Sequence, residues 1–160
     1  MIDVSSENGQ WKVVLNRPDK ANALTPAMLR AIAETASAAH ADPELRSFVI
    51  TGAGERVFCA GADVSGGEDM FAFTRDPVWV EASQGIANLP YLTIAALNGT
   101  LAGGGFALAL ACDLRIATPE AKFFYPVLKR GFLPQPADVH RMAALCGPAQ
   151  AKLILSCAVL

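Results

Sequence analysis

Two short segments constrain this chain more than any other part of it. One runs LNGTLAGGGFALALACD from Leu97 to Asp113, the other FCAGADV from Phe58 to Val64. Each reads as a short apolar strand that enters a glycine turn and then an alanine-rich stretch of helical character. A turn of this kind places bare backbone amides at the start of a helix. Amides there lack an intrahelical partner and sit at the positive end of the helix dipole, so they suit an oxygen that is gaining negative charge. Two such turns in one chain can together form a two-donor oxyanion hole.

The rest of the pattern alternates strand with helix, which favours an α/β architecture over a sandwich or a bundle. Trp11 to Leu15 reads as a strand leaving a polar turn. Thr25 followed by Pro26 reads as a helix start, with Thr25 as N-cap and Leu29, Ile32, Ala33 and Ala36 on one apolar face. Pro43 closes that region. Ser47 to Thr51 and Leu92 to Leu97 read as buried strands, Val78 to Asn88 as a helix, and Leu114 to Ala117 as a short strand. Two amphipathic helices follow, over Ala137 to Leu145 and Pro148 to Leu155. Ser65 to Pro77 is glycine-rich and acidic without a clear period, and is expected to be a mobile loop.

At 160 residues the chain is one domain, residues 1–160, with no internal repeat. A chain of this length buries roughly 70% of its unfolded surface. An apolar fraction of 52% against 18% charge fits a well-cored soluble protein, and a net charge of −2 gives no reason to expect nucleic acid or an anionic membrane as partner. No apolar run is long enough to span a bilayer. Cys59, Cys112, Cys146 and Cys157 show no CxxC spacing, and two histidines make no zinc pattern, so no metal is expected. Reduced, mostly buried thiols and the absence of a signal-peptide pattern point to the cytoplasm.

LNRPDKANAL (15–24), VITGAGERVFCAGADV (49–64), PYLTIAALNGTLAGGGFALALACDLRIAT (90–118) and AKFFYPVLKRGFLP (121–134) together make the chain resemble the enoyl-CoA hydratase/isomerase, or crotonase, superfamily. Four motifs agree in order and spacing, where a single glycine run would carry little weight. The resemblance implies a crotonase-like α/β fold of repeated ββα units. It also implies an acyl-CoA thioester as ligand, no cofactor beyond the CoA of the substrate, and assembly into trimers or pairs of trimers. In the family a further helical segment follows; the pattern here stops at Leu160, so the C-terminal helical segment is expected to be missing.

By position, the family's two oxyanion amides fall on Ala62 and Gly104. Gly103 and Gly104 with Ala60, Ala62, Asp63, Val64 and Ser65 would lie along the CoA and thioester, and Lys20 could approach the CoA phosphates. Plain alternatives are a solvated Lys20 and glycines that serve only close helix packing. The resemblance also implies that the 65–77 stretch lines the acyl pocket, with Met70, Phe71 and Phe73 as apolar wall.

The chain departs from the pattern where hydratases carry glutamates. Ala107 stands two residues after the glycine run and Val127 directly after the proline of the AKFFYPV segment. Neither can transfer a proton, and a positioned acid or base contributes roughly 10² to 10⁴ in rate. Gln135 falls where some isomerases and dehalogenases place an aspartate, and glutamine can neither act as base nor form an acyl-enzyme. Asp138 is the leading substitute, against a reading as a first-turn helix acid; Tyr125, Lys129 and His140 are weaker candidates. Cys59 and Cys112 read as core residues. Enolate stabilisation is thus expected without ordinary hydration. The alternatives are a decarboxylase or isomerase with a relocated acid, or a non-catalytic acyl-CoA-binding or assembly subunit. A dinucleotide site is excluded because a GxGxxG frame from Gly103 ends on Leu108, and a GxSxG hydrolase because no serine has the flanking glycines.

Overall fold

The computed structural model describes residues 1–65 and 70–157. The chain opens with a hairpin of β1 (Ile2–Glu7) and β2 (Gln10–Leu15), paired antiparallel around Asn8 and Gly9, both at positive φ. Asn-Gly between two strands is a strong hairpin signal; β1 is nevertheless an addition to the elements read from the sequence.

Helix α1 (Pro26–Ala41) starts as expected: the Thr25 hydroxyl accepts from the Met28 amide at 3.2 Å, Pro26 occupies the first turn, and Met28, Leu29, Ile32, Ala36 and Ala39 are buried. Strand β3 (Ser47–Gly52) buries Phe48 and Ile50, β4 is Val57–Cys59, and two helices follow, α2 (Met70–Arg75) and α3 (Val78–Ala87). The expected loop over 65–77 is therefore partly helical. Its glycines and acids hide a short apolar helix that stops at Asp76, whose carboxylate accepts from the Val78 amide at 2.9 Å and starts the next one. Residues 66–69 and the side chain of Met70 lie outside the described part.

Strands β5 (Leu92–Leu97) and β6 (Thr100–Ala102) lead through a single 3-10 turn, Gly103–Gly105, into α4 (Phe106–Ala111). Then come β7 (Leu114–Ala117), β8 (Phe123–Phe124), a 3-10 turn at Leu128–Arg130, and α5 (Pro136–Leu155). Helix α5 is broken at Gly147, where φ is 80° and ψ 156°, just before Pro148. The two helices read from the sequence are thus two pieces either side of one break.

These elements repeat as strand, strand, helix. Both strands of the first unit and the first strand of each later unit enter a five-stranded sheet of order β1-β2-β3-β5-β7, parallel from β2 onward. The second strand of each later unit enters a separate parallel sheet of order β4-β6-β8. One core joins both sheets to the helices, with Phe48, Phe58, Trp79, Leu15, Leu29 and Ile32 among its fully buried side chains. Fully burying a side chain of this size contributes about 1.5 to 3 kcal/mol. The smaller sheet positions the site, because β4, β6 and β8 run in parallel and so release their following loops, Ala60–Ser65, Gly103–Gly105 and Tyr125–Val127, at one edge. Open parallel sheets bind ligands at that carboxyl edge. Among the described residues no helix is long and apolar enough to cross a membrane, and no group of three His, Cys, Asp or Glu could hold a metal.

Candidate active site

The loops after β4, β6 and β8 border a cavity of about 460 Å³. Its wall includes Lys20, Ala60, Ala62, Asp63, Val64, Ser65, Gly103 and Gly104, so every residue assigned to the oxyanion pair or to CoA from the sequence meets here, while the acid/base candidate Asp138 is not part of the wall.

The backbone at Ala62 differs from the one expected. No helix starts at the first glycine turn. Instead the Leu24 main chain captures it in a single parallel bridge: the Leu24 amide donates to the Gly61 carbonyl at 2.7 Å, and the Asp63 amide donates to the Leu24 carbonyl at 2.8 Å. Groups alternate sides along an extended chain, so the Ala62 N–H turns away from Leu24. Gly104 lies in the first turn of its 3-10 segment, where amides have no partner within the turn.

Glycine is required where the two turns meet. Gly61 has φ +98°, and a β-carbon on it would stand 3.0 Å from the Gly104 nitrogen and 3.1 Å from the Ala102 oxygen. A β-carbon on Gly104 would stand 3.6 Å from the Ala62 nitrogen and 2.6 Å from Cη2 of Trp79. The two amides and the indole edge therefore surround one small space.

Asp63 anchors the Ala60–Ser65 loop. Its Oδ1 accepts from the Ser65 hydroxyl at 2.6 Å and the Ser65 amide at 2.9 Å, and Oδ2 pairs with Arg17 at 2.8 Å. The Ser65 bonds first, then Arg17, hold its carboxyl well below the usual carboxylate range. Arg17 also donates to the Ala23 carbonyl, and the buried Asn22 bridges Arg17, Ala53 and Val57, so the 20–24 and 60–65 segments of the wall are held by one network. Lys20 is exposed at the rim, as is Arg130.

The positions of the absent glutamates differ from each other. Val127 is half-buried in the cavity wall, its Cγ2 4.0 Å from where a Gly103 β-carbon would be. Ala107 is 1% exposed within the core and borders no part of the cavity. Among the described residues Asp63 is the one carboxylate in the cavity wall.

Asp138 sits behind that wall. It is fully buried in the first turn of α5, and its Oδ2 accepts from the Tyr125 hydroxyl at 2.7 Å while Oδ1 has no partner. Burial pushes its carboxyl up to about 6, with Tyr125 and Arg141 pulling the other way. Burial and the neighbouring Asp138 push the Tyr125 phenol far above its usual range. Tyr125 itself lines the cavity; Lys129 and His140 are exposed outside it. Burial pushes the Cys59 and Cys112 thiols up to about 12, in keeping with core residues.

The aromatic wall differs from the expected one. Phe73 is buried behind Trp79, ring centroids 5.2 Å apart, and Phe71 meets Phe132 in a tilted contact at 5.1 Å. Neither Phe71 nor Phe73 borders the cavity; Trp79, Phe132, Leu133, Phe124 and Thr74 do. Trp79 is not among the site residues expected from the sequence, where it falls simply within the helix read over Val78 to Asn88.

Repeated ββα units feeding two glycine turns into one cavity define a crotonase-like protein. The family model for enoyl-CoA hydratase/isomerase matches residues 5–159, and the chain belongs to that family. It is 35% identical over 158 residues to a probable enoyl-CoA hydratase of Mycobacterium leprae, which covers 97% of this chain and 63% of that protein. It is also 35% identical over 144 residues to a crotonyl-CoA hydratase of Syntrophomonas wolfei, over 88% of this chain and 55% of that one. The crystal structure of an enoyl-CoA hydratase from Bacillus anthracis superposes with a TM-score of 0.88 at 31% identity, over 97% of this chain and 62% of that chain. The chain thus spans less than two thirds of the length of these relatives.

Proposed function

We propose that the protein binds an acyl-CoA thioester in this cavity and stabilises the thioester enolate with the N–H groups of Ala62 and Gly104. What carries this reading is the close approach of the two turns, where a β-carbon on Gly61 would stand 3.0 Å from the Gly104 nitrogen and one on Gly104 3.6 Å from the Ala62 nitrogen. A fixed pair of main-chain donors needs no reorganisation as charge develops, and each is worth roughly 10² to 10³ in rate. Ala60 and Asp63 to Ser65 lie along the CoA, Lys20 pairs with its phosphates, and no further cofactor is needed.

Water addition is not favoured by this site. It requires a base for water and an acid for the α carbon, and among the described residues the sole carboxylate in the wall is already bound by Ser65 and Arg17. The same observation favours a second reading, in which the enolate arises by loss of CO₂ from a carboxylated acyl group. Breaking that C–C bond leaves its electron pair on the α carbon and needs no base.

Calorimetry with crotonyl-CoA and with free crotonate tests the binding: the thioester should bind far more tightly, and no detectable binding of any CoA species would overturn the proposal. The enoyl absorbance then reads hydration. Slow hydration is expected of the unmodified protein, with a rise of at least about tenfold in Val127→Glu, since one positioned acid or base contributes roughly 10² to 10⁴. Fast hydration by the unmodified protein would show that another group moves the protons.

A further inference from the structure

Trp79 is 2% exposed and yet forms part of the cavity wall. Its indole N–H donates to the Phe73 carbonyl at 2.9 Å, and its ring leans on Phe73 with centroids 5.2 Å apart. The ring is therefore fixed from two directions. Its benzo edge occupies the side of Gly104 that a β-carbon would fill, Cη2 at 2.6 Å and Cζ3 at 2.8 Å from that position.

The cavity wall has two bonded parts. Lys20 to Leu24 is tied to Ala60 to Asp63 by main-chain bonds. The segment from α2 to α3 is tied to the stretch before α5: the Gln135 side-chain amide donates to the Thr74 carbonyl at 2.5 Å, and the Phe71 ring contacts that of Phe132 at a tilt. Gly104 stands where the two meet, next to the Ala62 amide of the first part and against Trp79 of the second. A thioester whose oxygen rests on Ala62 and Gly104 with its CoA along the first part must send its acyl carbons into the second. The first thing they meet is the indole.

We propose that Trp79 is a specificity-determining residue, which restricts the ligand to acyl groups that are short and unbranched next to the thioester. This rests on the acyl-CoA reading of the site given above. A flat rigid ring beside the α and β carbons accepts a planar enoyl or small straight acyl group. A long or α-branched group cannot displace it, because the ring is locked by its bond to Phe73 and by Gly104 behind it. Val127 adds a second apolar boundary in place of a carboxylate, which leaves acyl carbons and not water as the natural occupants.

The test is calorimetry on the protein and its Trp79→Phe and Trp79→Leu variants, with acetyl-, crotonyl-, octanoyl- and 2-methylbutyryl-CoA and with CoA alone. The unmodified protein should bind crotonyl-CoA at least about tenfold more tightly than the octanoyl or branched thioester, the scale of one or two misfitted methylenes. Trp79→Leu should reverse or erase that ratio by tightening octanoyl-CoA, with Trp79→Phe between them and the affinity for CoA alone unchanged. Tighter binding of a longer ligand cannot come from misfolding. A chain-length ratio that stays the same in both variants overturns the role of Trp79 and leaves the acyl-CoA reading intact. Absence of acyl-CoA binding in the unmodified protein overturns both.

Discussion

Asp138 shows how a residue can have the proton affinity of a catalyst in the wrong place. Its carboxyl, raised to about 6, suits a general acid near neutral pH, but it lies behind Tyr125, with its Oδ1 atom unpartnered. Its effect on stability has a definite sign. The folded state holds this proton more tightly than the unfolded chain, so between about pH 4 and 6 the unfolded state binds fewer protons and stability falls as pH rises. At full effect this amounts to roughly 3 kcal/mol, since a tenfold change in proton affinity is worth about 1.4 kcal/mol. Asp63 acts in the opposite sense and at lower pH, because its carboxyl is depressed: its contribution is present above the ordinary carboxylate range and lost in acid. Thermal melts of Asp138→Asn at about pH 4 and about pH 7 should show that the fall in stability across this interval has largely gone, because asparagine can still accept from Tyr125 and has no charge to bury. An unchanged fall would place its origin elsewhere. The sequence placed Asp138 correctly in the first turn of a helix; it could not show that Tyr125, thirteen residues earlier, would face it.

At the scale of elements, what was legible followed local rules. Thr25-Pro26 specified a helix start through two independent preferences, and the β3 and β5 strands followed from apolar runs bounded by turns. Less legible were elements whose existence depends on a distant partner. Strand β8 has two residues and forms because β6 offers it a ladder. The extended chain at Ala62, where a helix was expected, exists because Leu24 binds both Gly61 and Asp63. That bridge makes Gly61 the most sensitive point of the site. Gly61→Ala must fit a β-carbon 3.0 Å from the Gly104 nitrogen at a φ of +98°, a region that side chains rarely adopt. It should spread the two turns apart, abolish crotonyl-CoA binding in calorimetry, and leave the far-UV spectrum close to that of the unmodified protein, because the strands and helices lie outside the bridge. Retained binding would show that the paired amides are not the ligand's anchor.

For the whole molecule, the sheet edge raises the question of assembly. The five-stranded sheet ends on β7, which leaves Leu114 and Ile116 46% and 59% exposed, and Phe123 of β8 is 46% exposed nearby in sequence. Exposed edge strands with apolar side chains are poor surfaces to leave in water, and they pair with other chains unless something covers them. Closed symmetric assembly is the common way to cover such a surface, and a trimer or a pair of trimers is the form that the family resemblance implies. Sedimentation velocity should therefore give a trimer or hexamer. Ile116→Lys should shift the distribution towards smaller species without loss of the far-UV helical signal, because a charge at that position is harmless in water and costly when desolvated. A monodisperse monomer for the unmodified protein would exclude the assembly. An Ile116→Lys protein that remains fully trimeric would move the contact away from this edge and on to other exposed apolar positions such as Leu145 and Leu153 of α5, 52% and 41% exposed.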